Sequence, residues 1–443
     1  MSCNWPRVQI SEVCELIVDC VNKTAPRVDY ETPFKMIRTP NVKDGKISLN
    51  DCRFVEEDTY EKWTRRAKVL RDDVLLTREA PMGEVGIVDF DETVFLGQRI
   101  MQYRVDSSKL DPHFLLYSFL SSDLQHQFNM HEGSGSVVSH IRVPDCSKFE
   151  LNLPPLDVQK EIAGVLKKLD RKISVNQQTN QTLEEMAQAI FKSWFVDFDP
   201  VKAKMKGEQP EGMDAATTSL FPEKLVESEL GLIPEGWSEQ PLGSLIDFMT
   251  GFAFKSKQFT EAGVRLARGD NVKEGRFYWG DKSRFWPEVT PELDKYHLKS
   301  GDILIGMDGS KVGKNWVRVN ESDLPCLLVQ RVARLRAKGL IGSSMLEVII
   351  GGNKFKQYVE NVKTGTSIPH ISGKQIKEMP IIYPNDGGKL FQRFEEILRP
   401  LAHKRELNNA ENQELAQLRD ILLPKLLSGE IELGTTEALG LEA

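Results

Sequence analysis

The amino-acid sequence predicts an α+β fold in which two mixed α/β domains are joined by two long helices that form an antiparallel coiled coil. Two observations carry this prediction. The chain repeats itself at a shift of about 230 residues. Each repeat also ends in a long segment whose apolar residues follow a heptad pattern. Head-to-tail pairing of these two segments would give the chain a pseudo-two-fold internal repeat.

The composition is that of a globular protein with more than one domain. The chain has 443 residues, of which 40% are hydrophobic and 28% are charged, and this is more than one ordinary core accommodates. The net charge of -7 leaves DNA binding open, because counterion release depends on basic residues on one face. No apolar run could span a membrane and the N-terminus lacks a signal-peptide core, so we expect a cytoplasmic protein. The six cysteines form no Cys-x-x-Cys pair, which favours reduced thiols over a metal site.

The internal repeat rests on segments that match in the same order in both halves. Ile37–Lys46 matches Leu266–Arg276, which places Arg38 on Arg268 and Asn41 on Asn271. The further matches are Trp5 with Trp237, Asp73–Leu76 with Asp302–Ile305, Gln98-Arg99 with Gln330-Arg331, Gly135-Ser136 with Gly365-Thr366, and His140-Ile141 with His370-Ile371. Short β-type runs, punctuated by Gly and Pro, fill each globular section.

The order of these patterns predicts six regions. The two domains are expected at 1–156 and 233–388, and the two long helices at 157–199 and 389–430. Between the repeats, residues 200–232 are rich in polar residues, Gly and Pro, which predicts a loose connector. A C-terminal tail covers 431–443.

The two heptad patterns share polar positions as well as apolar ones. Antiparallel packing in one common register places Asn176 opposite Asn412 and Asn180 opposite Asn408. The same register pairs Ile173 with Leu415 and Leu166 with Leu422. Buried Asn pairs cost stability but penalise every other alignment. A helix of about 38 residues is about 57 Å long, so the pair would act as a spacer. The alternative is that each apolar seam packs only on its own globular domain.

The motifs of the enzymes that act on DNA are not found. Asn152-Leu153-Pro154-Pro155 has an inserted Leu and no following aromatic residue, unlike an adenine methyltransferase motif, and we interpret it as a connection to the helix. Gly309–Asn315 lacks the spacing of a P-loop. No His-Glu-x-x-His motif or clustered His/Cys spacing occurs. We therefore expect a non-catalytic chain without a metal site.

Four segments resemble the specificity subunits of type I restriction–modification systems. These segments are Leu153–Ala163, Phe191–Val201, Ile233–Trp237 and Leu418–Ile431. The resemblance extends over nearly the whole chain, and the combination of segments is highly specific. One departure is Gly387–Leu390, which replaces the Pro-Leu-x-x-Gln pattern of Pro155–Gln159 and affects where the second helix begins.

The resemblance implies two target-recognition domains, each of which reads one half of an asymmetric, bipartite double-stranded DNA sequence. The coiled coil would set the gap between the halves and dock two methyltransferase subunits. Two translocase–nuclease subunits can join them. S-adenosylmethionine, ATP and Mg are expected on these partners, and no cofactor is expected in this chain. The alternatives are a self-contained methyltransferase or nuclease, a scaffold that binds DNA without reading bases, and the specificity subunit of a methylation-only system.

Most candidate DNA-binding residues are polar side chains in turns at equivalent places of the two repeats, where they could reach base edges or phosphates. Lys255 instead belongs to a loop that enters the second domain. The candidates are Arg38, Asn41, Lys43, Arg78, Gln98, Arg99, Ser136 and His140 in the first repeat, and Lys255, Arg268, Asn271, Lys273, Ser310, Gln330, Arg331, Thr366 and His370 in the second. Structural alternatives stay open: the asparagines can serve a turn, the arginines can pair with internal carboxylates, and the histidines can be packing residues. Where the repeats differ, as at Thr39-Pro40 and Gly269-Asp270, we expect the two halves to read different bases.

Overall fold

The structure is a computed structural model that describes residues 5–130, 140–228, 231–280, 282–365, 367–431 and 433. The chain divides into two compact units. Unit 1 comprises Met1–Val175 and Asn412–Ala443, and unit 2 comprises Asn176–Glu411. Each unit therefore contains part of both long helices. Within the described residues, no helix is both long and apolar enough to cross a membrane.

Unit 1 is built on a four-stranded antiparallel sheet. Its strands, in spatial order, are Cys14–Asp19, Ile100–Val105, Val74–Arg78 and Met82–Ile87. A second sheet has the order Arg53–Phe54, Lys35–Ile37 and Val94–Leu96, with the last two strands parallel. Two strand pairs join Arg7–Gln9 to Glu150–Asn152 and Val42–Lys43 to Lys46–Ile47. The unit's shorter α-helices are Ile10–Val13, Glu57–Trp63, Pro112–Leu120 and Ser122–Asn129.

Unit 2 repeats this topology. Its four-stranded sheet has the order Ile246–Thr250, Val332–Ala337, Ile303–Gly306 and Trp316–Arg318. Its three-stranded sheet has the order Phe285–Trp286, Val264–Ala267 and Cys326–Leu328, again with the last two strands parallel. The strand pairs are Trp237–Pro241 with Pro380–Pro384 and Val272–Lys273 with Arg276–Phe277. The helices Ser343–Gly351, Asn353–Val362 and Gly373–Lys377 follow. The predicted fold class and its internal repeat are confirmed.

One inner strand of each four-stranded sheet, Val74–Arg78 in unit 1 and Ile303–Gly306 in unit 2, is called the central strand and is covered on both faces. Val74 and Leu76 belong to the larger core of unit 1, and Leu75, which points the other way, belongs to a smaller one. Ile303 and Ile305 lie in the larger core of unit 2, and Leu304 lies in its smaller core. A strand buried on both faces needs an unbroken apolar run rather than an alternating one. This explains why these two segments contain consecutive aliphatic residues.

A buried carboxylate precedes each central strand at the same position of the repeat. Arg104 donates to Asp73 through Nε and Nη2, both at 2.8 Å. Arg336 donates to Asp302 through Nε at 2.6 Å and Nη2 at 2.8 Å. Each carboxylate also accepts a backbone N–H, from Leu70 in unit 1 and Lys299 in unit 2. These hydrogen bonds offset the cost of burying the two aspartates.

The two long helices are Leu156–Lys192 and Lys389–Leu427, and a π-helical turn, Ser193–Asp197, extends the first. In unit 1, Leu166 and Leu422 pack in one core, and Arg419 donates to Asp170 at 2.9 Å.

In unit 2, polar side chains of the two long helices contact each other as the predicted antiparallel register requires. Asn176 donates to Glu411 at 2.7 Å, Asn408 donates to Asn180 at 2.8 Å, and Arg405 pairs with Glu184 at 3.4 Å. The residue numbers of the contacts rise along the first helix while they fall along the second, so the two helices run antiparallel. Asn180 thus meets the partner that the heptad register places opposite it, whereas the pairing of Asn176 with Asn412 stays a prediction.

The segment that the sequence predicts to be a loose connector is packed within unit 2. It forms the helices Asp199–Met205 and Ala215–Ser219 and the strand pair Leu225–Ser228 with Gly231–Pro234. Val201 and Phe221 are buried in the main core. Arg393 of the second long helix pairs with Asp214 at 2.8 Å. The prediction of looseness was wrong because a few apolar anchors hold an otherwise polar segment.

Replacing Asn408 with Leu should destabilise unit 2 by about 1–3 kcal/mol, because Asn180 loses a donor for its amide oxygen. The double variant Asn180→Leu/Asn408→Leu should recover most of that loss, since a matched apolar pair replaces a matched polar pair. A double-mutant cycle in chemical denaturation measures this coupling. Size-exclusion chromatography with light scattering should show slipped or multimeric species for the double variant. Additive losses and a single aligned monomer would contradict the proposed role of the pair.

Replacing Asp73 or Asp302 with Asn should destabilise the corresponding unit by about 2–4 kcal/mol, because each change removes the charge that satisfies a partly buried guanidinium. Hydrogen–deuterium exchange should report faster exchange in the strands of the altered unit only. The control is Asp29→Asn, whose carboxylate is exposed and lies 3.9 Å from Arg27. Equal effects of the control and the two variants would show that the buried pairs contribute no special stability.

Candidate nucleic-acid interface

Three chain segments meet at one place in unit 1. The central strand ends at Arg78, the turn before the strand Ile100–Val105 contains Arg99, and a third segment contains Ile141. The Arg78 N–H donates to the Arg99 carbonyl at 2.8 Å, and the Ile141 N–H donates to the Arg78 carbonyl at 3.0 Å. These bonds bring together three segments that lie far apart in sequence. They contain four predicted site residues: Arg78, Gln98, Arg99 and His140.

The same backbone connections occur in unit 2. The Met307 N–H donates to the Arg331 carbonyl at 2.9 Å, and the Ile371 N–H donates to the Met307 carbonyl at 3.0 Å. Gln330, Arg331 and His370 are therefore assembled as their counterparts are in unit 1. Ser310 follows in the loop after the central strand, where it is exposed. Two equivalent surfaces of the repeat thus collect most of the predicted residues.

The arginine of each Gln-Arg turn has a left-handed backbone. Arg99 has φ 73° and Arg331 has φ 66°. A residue with a Cβ costs roughly 1–2 kcal/mol in this region, where glycine is the natural choice. Both side chains are nonetheless largely exposed, at 47% and 73%. A long cation that is kept at a strained, exposed position in both repeats indicates a use for the side chain.

Each of these arginines lies beside a carboxylate. Arg99 Nε is 3.2 Å from Glu79, and Arg331 Nε is 3.5 Å from Asp308. Asp308 also contacts His370 through Nδ1. The sequence left open that the arginines pair with internal carboxylates. They do pair, but the guanidinium groups stay at the surface.

A cleft lies beside the Gln-Arg turn in each unit. In unit 1 the cleft is lined by Lys23, Thr24, Ala25, Met36, Arg38, Thr39, Pro40, Arg53, Gly97, Gln98 and Arg99. In unit 2 the lining includes Arg268, Gly269, Asp270, Lys273, Asp308, Ser310, Lys311, Gln330 and Arg331. The described charged residues that line the first cleft are all basic. The second cleft has four basic residues and two acidic ones, so both favour an anionic partner.

Three of the basic lining residues escaped the sequence analysis: Lys23, Arg53 and Lys311. Arg53 reaches the cleft because its strand pairs with Lys35–Ile37. This is a tertiary arrangement that no local pattern reveals. Lys311 directly follows the predicted Ser310, so a wider reading of that loop would have included it.

The two predicted asparagines are not available for contacts with DNA. Asn41 is 5% exposed and Asn271 is fully buried. Asn41 Oδ1 accepts the Arg38 N–H at 2.9 Å while its Nδ2 donates to Asn50. Asn271 likewise accepts the Arg268 N–H at 3.3 Å and donates to Tyr278. The prediction that these asparagines bind DNA is corrected: both side chains are used to close a turn.

Arg38 and Arg268 form part of the cleft walls. Arg38 Nη2 donates to the Asp51 carbonyl at 2.9 Å. The Arg268 guanidinium lies 5.7 Å from the centre of the Phe259 ring and donates to the Lys282 carbonyl. Both side chains are half-buried. They present positive charge to the cleft from fixed positions.

The other predicted residues differ in how accessible they are. Lys43, Lys255 and Gln330 are exposed. Arg78, Gln98, His140 and Lys273 are half-buried, and Arg78 Nη1 donates to the Ile141 carbonyl at 3.0 Å. Ser136 and Thr366 lie outside the described residues.

Two cysteines, Cys20 and Cys52, lie near arginines of the first cleft. Burial raises the pKa of the Cys20 and Cys52 thiols, so both are neutral rather than nucleophilic at neutral pH. In the described part of the chain, no group of three or more His, Cys, Asp or Glu side chains could hold a metal ion. What the arrangement offers is exposed cations and amides on a rigid support, which suits recognition.

Comparison with known proteins identifies relatives along the whole chain. The chain is 24% identical over 453 aligned residues to the type I restriction enzyme HindI specificity subunit of Haemophilus influenzae, covering 88% of this chain and 95% of that one. It is 26% identical over 438 residues to the MjaVIII specificity subunit of Methanocaldococcus jannaschii, covering 97% and 93%. The fold is similar to that of the S subunit of a type I restriction–modification system from M. genitalium, with a TM-score of 0.54, 18% identity and 96% of each chain covered.

The family described as "Type I restriction modification DNA specificity domain" matches residues 3–185 and 234–417. The two matches fall on the two repeats and together span most of the sequence. This chain belongs to the family of type I restriction–modification specificity subunits.

Proposed function

We propose that the chain is the DNA-reading, non-catalytic subunit of a type I restriction–modification complex. In this proposal each unit reads one half of a bipartite target, through recognition domains that correspond to 1–156 and 233–388. The observation that carries the proposal is the repeated cleft, in which a strained, exposed Arg stands beside other basic residues.

The charges of the clefts fit double-stranded DNA. Lys23, Arg38 and Arg53 accompany Arg99 in the first cleft, and Arg268, Lys273 and Lys311 accompany Arg331 in the second. Basic groups on phosphates position a protein on the duplex, whereas a bidentate Arg, Asn or Gln contact to a base edge carries sequence information. Each turn places a Gln beside an Arg. An Arg side chain can bind guanine through two hydrogen bonds, and a Gln side chain can bind adenine in the same way.

The differences between the clefts favour an asymmetric target. Thr39-Pro40 in the first cleft is replaced by Gly269-Asp270 in the second. Arg78, the last residue of the central strand in unit 1, has Met307 at the equivalent backbone position in unit 2. Two surfaces with the same scaffold and different side chains should select different bases.

The long helices are the proposed docking site for two methyltransferase subunits, which would supply S-adenosylmethionine. Translocase–nuclease subunits with ATP and Mg would join the same complex. These helices expose several large apolar side chains that a partner could cover; they are Val175 and Met186 on the first, and Leu407, Leu418 and Ile421 on the second.

Sequence-specific binding is tested by selecting duplexes from a random double-stranded DNA library with the full chain in complex with its partner subunits. We expect enrichment of a motif split into two short parts with a fixed gap. Binding without any enriched sequence would show that the chain is a DNA-bound scaffold and would overturn the proposal.

Replacing Arg99 or Arg331 with Gly should separate recognition from stability. Glycine tolerates the positive φ, so the free energy of unfolding should change by less than about 1 kcal/mol. Loss of a bidentate base contact should cost about 1–3 kcal/mol and relax one base position, in a different half of the target for each variant. Competition binding with single-base variants of the target measures this effect. Arg71→Ala, which removes an exposed partner of Asp91, is the control.

An affinity loss that is equal for all DNA sequences would assign the arginine to a phosphate. An unchanged affinity and specificity in both variants would place the Gln-Arg turns outside the interface.

A further inference from the structure

We propose that Glu79 and Asp308 determine specificity by positioning Arg99 and Arg331 and by repelling phosphate, so that each arginine selects an uncharged pair of acceptors on a base edge. Guanine presents such a pair in the major groove at O6 and N7. This inference rests on the proposed DNA-reading function and adds a role for the two carboxylates.

The two carboxylates occupy the same position of the repeat. Each follows the central strand, and each precedes a residue with positive φ, which is Ala80 at 52° in unit 1 and Gly309 at 101° in unit 2. The loop therefore turns in the same way in both units and brings the acid beside the Gln-Arg turn. A repeated acid next to a repeated arginine, on loops that otherwise differ in sequence, points to a shared task.

These pairs differ from the ion pairs that stabilise the fold. Asp73 and Asp302 are 1% exposed and receive two bonds each from their arginines. Glu79 and Asp308 are 26% and 23% exposed, and the closest atom of each arginine is a single Nε. Both arginines line the clefts. Contact through Nε involves one edge of the guanidinium, and the Nη edge is the part that we propose meets the DNA.

A neighbouring carboxylate changes which acceptors the arginine prefers. A phosphate that approaches Arg99 or Arg331 also approaches the negative charge of Glu79 or Asp308, and this repulsion weakens its binding. The O6 and N7 atoms of guanine carry no net charge and are repelled far less. The carboxylate thus lowers binding to any DNA backbone more than it lowers binding to the correct base.

The carboxylate also limits the directions in which the arginine can point. A bidentate contact requires the planar guanidinium to lie in the plane of the base edge. The left-handed backbone fixes where the side chain starts, and the ion pair with the acid restrains the Nε end of the guanidinium. In unit 2, His370 contacts Asp308 and so restrains the acid itself.

The test replaces each carboxylate with its amide, in Glu79→Gln and Asp308→Asn, and uses the full chain in complex with its partner subunits. The amide keeps the size and the oxygen acceptor but removes the charge. Affinity is measured for the selected target and for a duplex of unrelated sequence over a range of salt concentrations. Thermal melting shows whether each variant is folded.

We expect each amide variant to bind the unrelated duplex several-fold more tightly. Its salt dependence should steepen by about 0.9 in log–log slope, which corresponds to one further phosphate contact. The ratio of affinities for target and unrelated DNA should fall about tenfold, with relaxation at one base pair of one half-site. Glu79→Asp and Asp308→Glu, which keep the charge, should retain most of the discrimination.

Matched controls remove a surface carboxylate that pairs with a cation outside the clefts. These are Asp91→Asn, which leaves Arg71, and Glu274→Gln, which leaves Lys356. They test whether the loss of any one negative surface charge is enough to change DNA affinity. We expect both control variants to bind the target and the unrelated duplex with the affinity of the unaltered chain.

The inference is overturned if the amide variants lose affinity for both duplexes together, which a purely structural role would produce, or if they behave like the controls. The proposed function fails separately, when the unaltered chain does not distinguish the selected target from the unrelated duplex.

Discussion

The antiparallel packing of the two long helices is the constraint on which both units depend. The larger core of unit 1 contains Leu426 and Leu427 from the end of the second helix, packed with Ile162 and Leu166 of the first. The core of unit 2 contains Trp194, from the end of the first helix, in contact with Phe394 of the second. The end of each repeat's long helix thus packs in the core that contains the other repeat's globular domain. The core of each unit therefore contains apolar residues of both repeats.

This sharing of cores explains how a duplicated sequence supports two clefts with different side chains. The sheets, the buried Asp–Arg pairs and the helix contacts are common to both units, so they preserve the backbone positions of the Gln-Arg turns. The loops that line the clefts differ in sequence between the two units, as Thr39-Pro40 and Gly269-Asp270 do. A rigid, repeated support with variable loops is a general solution for placing recognition residues. The strain at Arg99 and Arg331 is tolerated because strands buried on both faces hold each turn in place.

The sequence predicted the elements whose physical basis is periodic. The heptad pattern located both long helices and placed Asn180 opposite Asn408, because burial repeats along a helix. The matched segments located Gln98-Arg99 and Gln330-Arg331. The sequence could not predict that Asn41 and Asn271 are buried. An Asn in a turn has the same sequence pattern whether its side chain faces solvent or bonds to the backbone. The contribution of Lys23 and Arg53 to the first cleft depends on contacts between distant segments, and so does the burial of Val201 and Phe221 in the core of unit 2. The acid beside each arginine could not be predicted either, because Glu79 and Arg99, like Asp308 and Arg331, come from different segments of the chain.

Site-specific photo-cross-linking tests the central claim most directly. A photoreactive amino acid is placed at Gln98 in one protein and at Gln330 in another, and each assembled complex is irradiated on its selected DNA target. The account predicts cross-links to opposite halves of the split target, one half for each position. Cross-links from both positions to the same half, or to the DNA at random, would contradict a chain in which each unit reads its own part of the sequence.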